Sequence, residues 1–355
     1  MGLPSINIIF KTLASSAISR SKKGIVAVIV RDEGVEAGGT VLTSADQIPA
    51  GLSAQNKAYT ERAFIGYTEK PRKVLLYVLA AEAGDLSPAL AWLATQTFDY
   101  LAGPPEITAA EASAVKTWLL ARRGEGVAPK AILPSLTADS EAVINFTTAG
   151  IKAGGETYTA AQYCSRIAGL LAGTPMTISS TYAVLPEVED ITRLDRAAMD
   201  AAIDAGQLIL YHDGEKVKVA RGVNSLTTVT DAKGEAFKKI KIVEAVDMIQ
   251  ADLRKAAQDS YIGKLANSYD NKCLLVSAVS DYLRQLERDG ILEAGSSSAG
   301  IDLAAQEAYL VSLGVDTSEM SEQEIKEANT GDKVFLTAVI RILDAIEDIN
   351  IVITM

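Results

Sequence analysis

An α+β chain of more than one domain, with a mixed α/β middle region, is what this sequence predicts, and three observations carry that prediction. Short β-branched runs alternate with capped amphipathic helices through the first two thirds of the chain. From about Asn224 the apolar spacing turns predominantly helical. Each end carries a brief β-prone run that stands apart from the rest. With 355 residues, 48% of them hydrophobic, the chain can bury two or three cores.

Taken in order, Ile6-Asn7-Ile8-Ile9-Phe10 is the first β-prone run. Gly24–Val30 reads as a buried strand, followed by a Gly38-Gly39 turn and β character to about Lys73. Val74–Leu79 is another strand. Ser87-Pro88 opens a helix whose apolar stripe (Leu90, Leu93, Phe98, Leu101) runs to Gly103-Pro104-Pro105. Thr108 and Glu111 make a capping box for a second helix that stops at Arg122-Arg123-Gly124. Strands are expected at Ala131–Leu133 and Val143–Thr147. A helix carrying Tyr163, Ile167 and Leu170 follows, then one over about Thr192–Ala205. Leu208–Tyr211 leads into an Asp213-Gly214 hairpin. Beyond it, Ile242, Val246, Ile249 and Leu253 recur at helical spacing, as do Val276, Val279, Leu283 and Leu286. Ser321 and Glu324 cap a short helix, and Val334–Ile340 is a strand. Ile349-Asn350-Ile351-Val352-Ile353 closes the chain with apolar and polar residues in alternation. A lone terminal strand must pair either within its own sheet or with another subunit, because its backbone groups need partners.

Composition narrows the function classes. A formal net charge of −11 argues against binding nucleic acid or an anionic membrane surface. No apolar run reaches the roughly 20 residues that span a bilayer, and Met1–Ile6 has neither the basic start of a signal peptide nor the Ser or Thr of a myristoylation site. Cys164 and Cys273 read as reduced, buried residues of a protein made in the cytoplasm.

Enzyme chemistry lacks its usual groups. The single histidine, His212, excludes a two-histidine metal site, and beside its turn it reads as a solvated strand-end residue. No phosphate-cradling loop is present, and Gly124-Glu125-Gly126 reads as a helix stop. Gly295–Gly300 fails the spacing of a nucleophile elbow and reads as a flexible loop. The paired acids near Glu347 have no partner set for acid–base work. No cofactor or metal is expected.

Residues 220–355 carry a resemblance. Arg221-Gly222-Val223-Asn224-Ser225-Leu226-Thr227-Thr228, Phe237–Ile249, Tyr261–Ser268, Asn329-Thr330-Gly331-Asp332-Lys333-Val334-Phe335 and Asp344–Ile349 follow one another in the order and spacing of phage tail sheath proteins. The chain is particularly similar to the short sheaths of Gram-positive defective prophages and R-type bacteriocins. The resemblance implies a structural protein, not an enzyme: a subunit that stacks in rings around an inner tube and contracts, with energy stored in the extended assembly. The implied partners are further copies of the chain in a helical homopolymer, the tube protein, and baseplate and tail-terminator proteins. The particle would assemble in the bacterial cytoplasm and be released on lysis.

The resemblance also implies an organisation. Residues 1–22 form an arm strand and linker, 23–86 a β-rich region, 87–222 an outer α/β domain, 223–347 a tube-facing sheath domain and 348–355 a second arm strand. Ile6–Phe10 and Ile349–Ile353 would be donated to neighbouring subunits, with Val334, Phe335, Leu336 and Val339 as the acceptor sheet. Lys238, Lys239 and Lys241, together with Asp344, Glu347 and Asp348, are the candidate tube or subunit contacts; solvated helix ends are the plain alternative. Another tail component, or a small-molecule-binding α/β protein, are the competing readings.

Overall fold

The central sheet is built on β1 (Ile25–Arg31), an unbroken aliphatic run whose interior is buried on both faces, as a strand covered by helices on each side must be. The computed structural model describes residues 23–231 and 233–355, so the Ile6–Phe10 run lies outside the described residues. Two compact units are present. One comprises the described residues up to Asp247 together with Asp344–Met355, and the other is Met248–Leu343.

In the larger unit, β2 (Gly38–Leu42) runs antiparallel at one edge of the sheet. The stretch after it is not β: α1 (Ala54–Ala63) occupies it, capped by Ser53. Ala, Gln, Lys and Glu there favour a helix, and Thr60 is its one β-branched residue. Gly38 and Gly39 belong to β2 itself, where Gly39 lies so close to the Trp92 ring that a Cβ would stand 2.2 Å from it. Next come β3 (Lys73–Leu79) and α2 (Ser87–Leu93). The helix begins one residue earlier than Ser87 as cap would require and ends ten residues before Gly103. Leu101 falls in β4 (Tyr100–Ala102), fully buried between β1 and β5 (Lys130–Pro134). A short apolar run fits a buried strand as well as a helix face, and here tertiary pairing decides.

Between β4 and β5 lies α3 (Ala109–Gly124), with the Thr108–Glu111 capping box formed in both directions. After β6 (Val143–Phe146), a hairpin of β7 (Ile151–Ala153) and β8 (Glu156–Tyr158) turns on Gly154-Gly155, both in the left-handed region. Then come α4 (Ala160–Ala172), α5 (Arg196–Asp204, capped by Asp195), β9 (Gln207–Leu208), and the hairpin of β10 (Leu210–His212) and β11 (Val217–Val219). The sheet order is β2-β3-β1-β4-β5-β6-β9, parallel except for β2. One core packs α1 and α4 on one face; the other packs α2 and α3 on the opposite face. This is a doubly wound three-layer arrangement.

The helix α6 (Ile240–Ala256) contains the division between the units. In the smaller unit α7 (Tyr269–Arg288), capped by Ser268, buries Ala278, Val279, Tyr282, Leu283 and Leu286. The stretch expected to be a flexible loop instead ends in β12 (Ser298–Ile301). Its small residues pair antiparallel with a strand far ahead in sequence, a contact that local composition does not encode. Then α8 (Leu303–Ser312) and α9 (Glu322–Glu327) pack together, the latter with its Ser321–Glu324 capping box. Finally β13 (Leu336–Val339) joins β12. Mixed α/β, multi-domain architecture is thus what the chain adopts.

Candidate assembly interface

Residues 344–348 are held against the larger unit by charge. The Glu347 side chain, only 7% exposed, accepts from Thr181 Oγ1 at 2.5 Å, Ser179 Oγ at 3.0 Å and Arg221 Nε at 3.1 Å. Lys239 Nζ lies 3.5 Å away. Burial raises the Glu347 carboxyl's pKa, but these hydroxyls and cations outweigh it and hold the group below the ordinary carboxylate range. Asp344 pairs with Lys239, and Asp348 with Arg221 Nη2 at 2.7 Å. The structure therefore brings Lys239, Asp344, Glu347 and Asp348 together within one unit. Lys241 is buried close by, with Asp344 and Glu347 the charges that act on it most. Lys238 pairs instead with Glu235 at 2.9 Å.

Past this clamp the apolar side chains of the chain are all exposed. Ile349 and Ile351 are more than two thirds exposed, and Val352 is 93% exposed. Among the described residues no strand includes Ile349–Ile353. Fully burying each such side chain is worth about 1.5–3 kcal/mol, so the segment carries a large unspent driving force.

In the smaller unit, β12 and β13 form a sheet of two strands, with Ser298 opposite Val339 and Ile301 opposite Leu336. Asp302 N–H donates to Phe335 O, and Glu293 N–H to Arg341 O, which extends the ribbon at both ends. Among the described residues each strand of this sheet has one open edge. Val334 and Val339 are exposed beside it. Two strands alone are marginal, and an open edge is a template for a third.

Sequence reasoning missed a second set of buried charges in the larger unit. Lys23 Nζ meets Glu244 Oε1 at 2.5 Å, and Tyr100 O–H also donates to Glu244. Asp247 accepts from Lys130 Nζ at 2.9 Å and Arg123 Nη2 at 2.8 Å. Burial lowers the pKa of the Lys23 ammonium despite its Glu244 partner, whereas at Lys130 the carboxylates win and raise it. Glu244 and Asp247, three apart within the mostly apolar run Ile240–Ile249, were the available signal: a buried acid needs a cation.

The sheet order reverses between β1 and β4, where a doubly wound fold opens its ligand crevice. Here the chain's own side chains occupy that place. Arg31 pairs with Glu106 at 3.0 Å and with Glu111, and Tyr59 O–H donates to Gly103 O at 2.7 Å. His212 Nδ1 accepts from Gly214 N–H at 2.9 Å, a turn contact.

Residues 80–225 match the model of the phage tail sheath protein central domain, and residues 232–355 that of the phage tail sheath C-terminal domain. The tail sheath protein of Clostridium phage phiCD119 is 43% identical over 360 residues, covering 100% of this chain and 99% of that one. Among solved structures, the helical sheath of the anti-feeding prophage in its contracted state superposes with a TM-score of 0.73 at 16% identity, over 100% and 99% of the two chains. The sheath tail protein Lin1278 of Listeria innocua gives 0.69 at 18% identity, over 85% and 94%.

Proposed function

From the premise that this chain belongs to the phage tail sheath family and is a structural component of a phage tail or tail-like particle, we propose that it polymerises around an inner tube by exchanging terminal strands between copies. The observation that carries this reading is the exposed apolar run Ile349–Ile353 leaving a clamped carboxylate at Glu347. Strand addition gives such a run both backbone partners and apolar cover. The open β12–β13 sheet, with Val334, Phe335, Leu336 and Val339, is the proposed acceptor in a neighbouring copy. Ile6–Phe10 is the proposed second arm.

Contraction in this reading is a downhill change between two packings of the same subunit, driven by free energy held in the extended assembly. The arms keep neighbours joined while the packing changes. Lys238 is retained as a proposed tube contact; Lys239, Lys241, Asp344, Glu347 and Asp348 are proposed to position the arm. Baseplate and tail-terminator proteins are the proposed partners at the two ends of the polymer.

Co-expression with the tube protein, followed by negative-stain electron microscopy, tests the assignment. Striated cylinders around a thinner tube, in long narrow and short wide forms, are expected. Truncation of residues 349–355, and separately of 1–12, is expected to leave folded monomers that do not polymerise. Normal cylinders from either truncation would sink the role of that arm.

A further inference from the structure

The two ends of the larger unit are tied to the same place. Lys23, where the described chain begins, bonds Glu244 on α6 and donates to Thr174 O at 3.1 Å. Its neighbours Gly24 and Ile25 are fixed by their N–H groups, which both donate to Asp99 Oδ2 at 2.8 Å. Glu347, where the C-terminal run departs, bonds Lys239, the residue just before α6, together with Ser179 and Thr181.

Two separate backbone segments therefore touch both roots. Along 239–244 the two gripping residues are five apart, about 7.5 Å of helix rise. Along 174–181, the Thr174 carbonyl serves Lys23 while the Ser179 and Thr181 hydroxyls serve Glu347. Thr174, Ile178, Ser180, Ile240, Lys241 and Glu244 face one small recess between these segments. Lys241 is buried there, under the opposed influence of Asp344, Glu347 and Lys239.

We propose that the segment 239–244, which opens α6, is a shared anchor for both terminal segments, so that loosening one root loosens the other. The chain of cause is short. Neutralising Glu347 removes one of the two carboxylates that offset Lys239 and Lys241, the other being Asp344, and the repulsion it uncovers displaces the turn that presents Glu244 to Lys23. Neutralising Glu244 leaves Lys23 buried without its carboxylate, and the same turn shifts under Lys239. In the assembled polymer this couples donation of one arm to donation of the other. That consequence rests on the strand-exchange reading above; the coupling itself does not.

Hydrogen exchange on the free, full-length subunit tests it. Glu347→Gln is expected to speed exchange of the Gly24 and Ile25 amides about fivefold, the low end of ordinary site-to-site coupling. Glu244→Gln is expected to speed exchange across residues 345–348 by the same factor, because a coupling free energy acts equally in both directions. If Glu244→Gln unfolds the subunit, Lys23→Gln breaks the same root from the other partner, at the end of the described chain. Faster exchange confined to the mutated root, with the thermal melt unchanged, overturns the proposal. The strand-exchange reading fails by a different result, normal cylinders from the 349–355 truncation, so the two failures cannot be confused.

Discussion

Asn267 illustrates how one side chain can hold an element in place. Its Nδ2 lies 3.0 Å from Thr330 Oγ1, 2.9 Å from Gly331 O and 2.9 Å from Lys333 O, so two hydrogens are shared among three acceptors. The turn it grips is further closed by Thr330 O–H on Lys333 O and by Gly331 N–H on Asn329 Oδ1, with Gly331 at φ +64° where only glycine sits without strain. This turn delivers the chain to β13. Replacing Asn267 by Ala removes bonds to carbonyls that water can still reach, at a net cost of about 0.5–1.5 kcal/mol. Asn267→Asp is expected to cost more, since a carboxylate would then face carbonyl oxygens. Denaturant unfolding checks both, and a loss under about 0.5 kcal/mol for the Ala variant would show the turn to be held by its own residues. Both halves of this contact stand in motifs that the resemblance singled out, yet their meeting was not legible. Sixty-odd residues separate them, and neither motif alone says what it touches.

At the level of elements, what could be read in the sequence was what neighbouring residues dictate. The Thr108–Glu111 and Ser321–Glu324 boxes fixed two helix starts because cap and N3 residue lie three apart. The Asp213-Gly214 pair marked its hairpin for the same reason. Leu101 and the Ser298–Ile301 strand were misread because their conformation is set by partners far along the chain: Ala131 beside Leu101, and β13 beside β12. Gly169 depends on a distant partner in the same way. Within α4 it reads as a weak helix former, and Ala would gain about 1 kcal/mol of propensity. In the fold, a Cβ there would stand 2.4 Å from the Ala63 carbonyl oxygen at the end of α1. Backbone cannot rotate away, so the two helices must part, and Ser165 Oγ would be drawn from Tyr59 O, now 2.6 Å away. The clash outweighs the propensity, and Gly169→Ala is expected to lose about 2 kcal/mol net in chemical denaturation. A stabilised variant would mean that α1 is free to slide on α4.

For the whole molecule, two tendencies oppose each other. The last ten residues expose Ile346, Ile349, Ile351, Val352, Ile353 and Met355, a run that on an uncharged protein would aggregate. The chain carrying it has a net charge of −11, and copies of it repel at long range. Strand exchange acts only on contact, whereas the repulsion extends over a Debye length, about 30 Å at 10 mM salt and about 8 Å at 150 mM. Salt therefore removes the barrier to encounter before it touches the bonds that form afterwards. The buried Glu347 and Glu244 pairs, shielded from solvent, are screened far less than the surface. Seeded polymerisation followed by light scattering is expected to quicken roughly tenfold between 10 and 150 mM NaCl, within the range that long-range fields impose on association rates. If instead the rate falls as salt rises, encounter is governed by attraction between unlike patches on neighbouring copies, and a local pairing of basic and acidic surfaces, not the net charge, sets the pace of assembly.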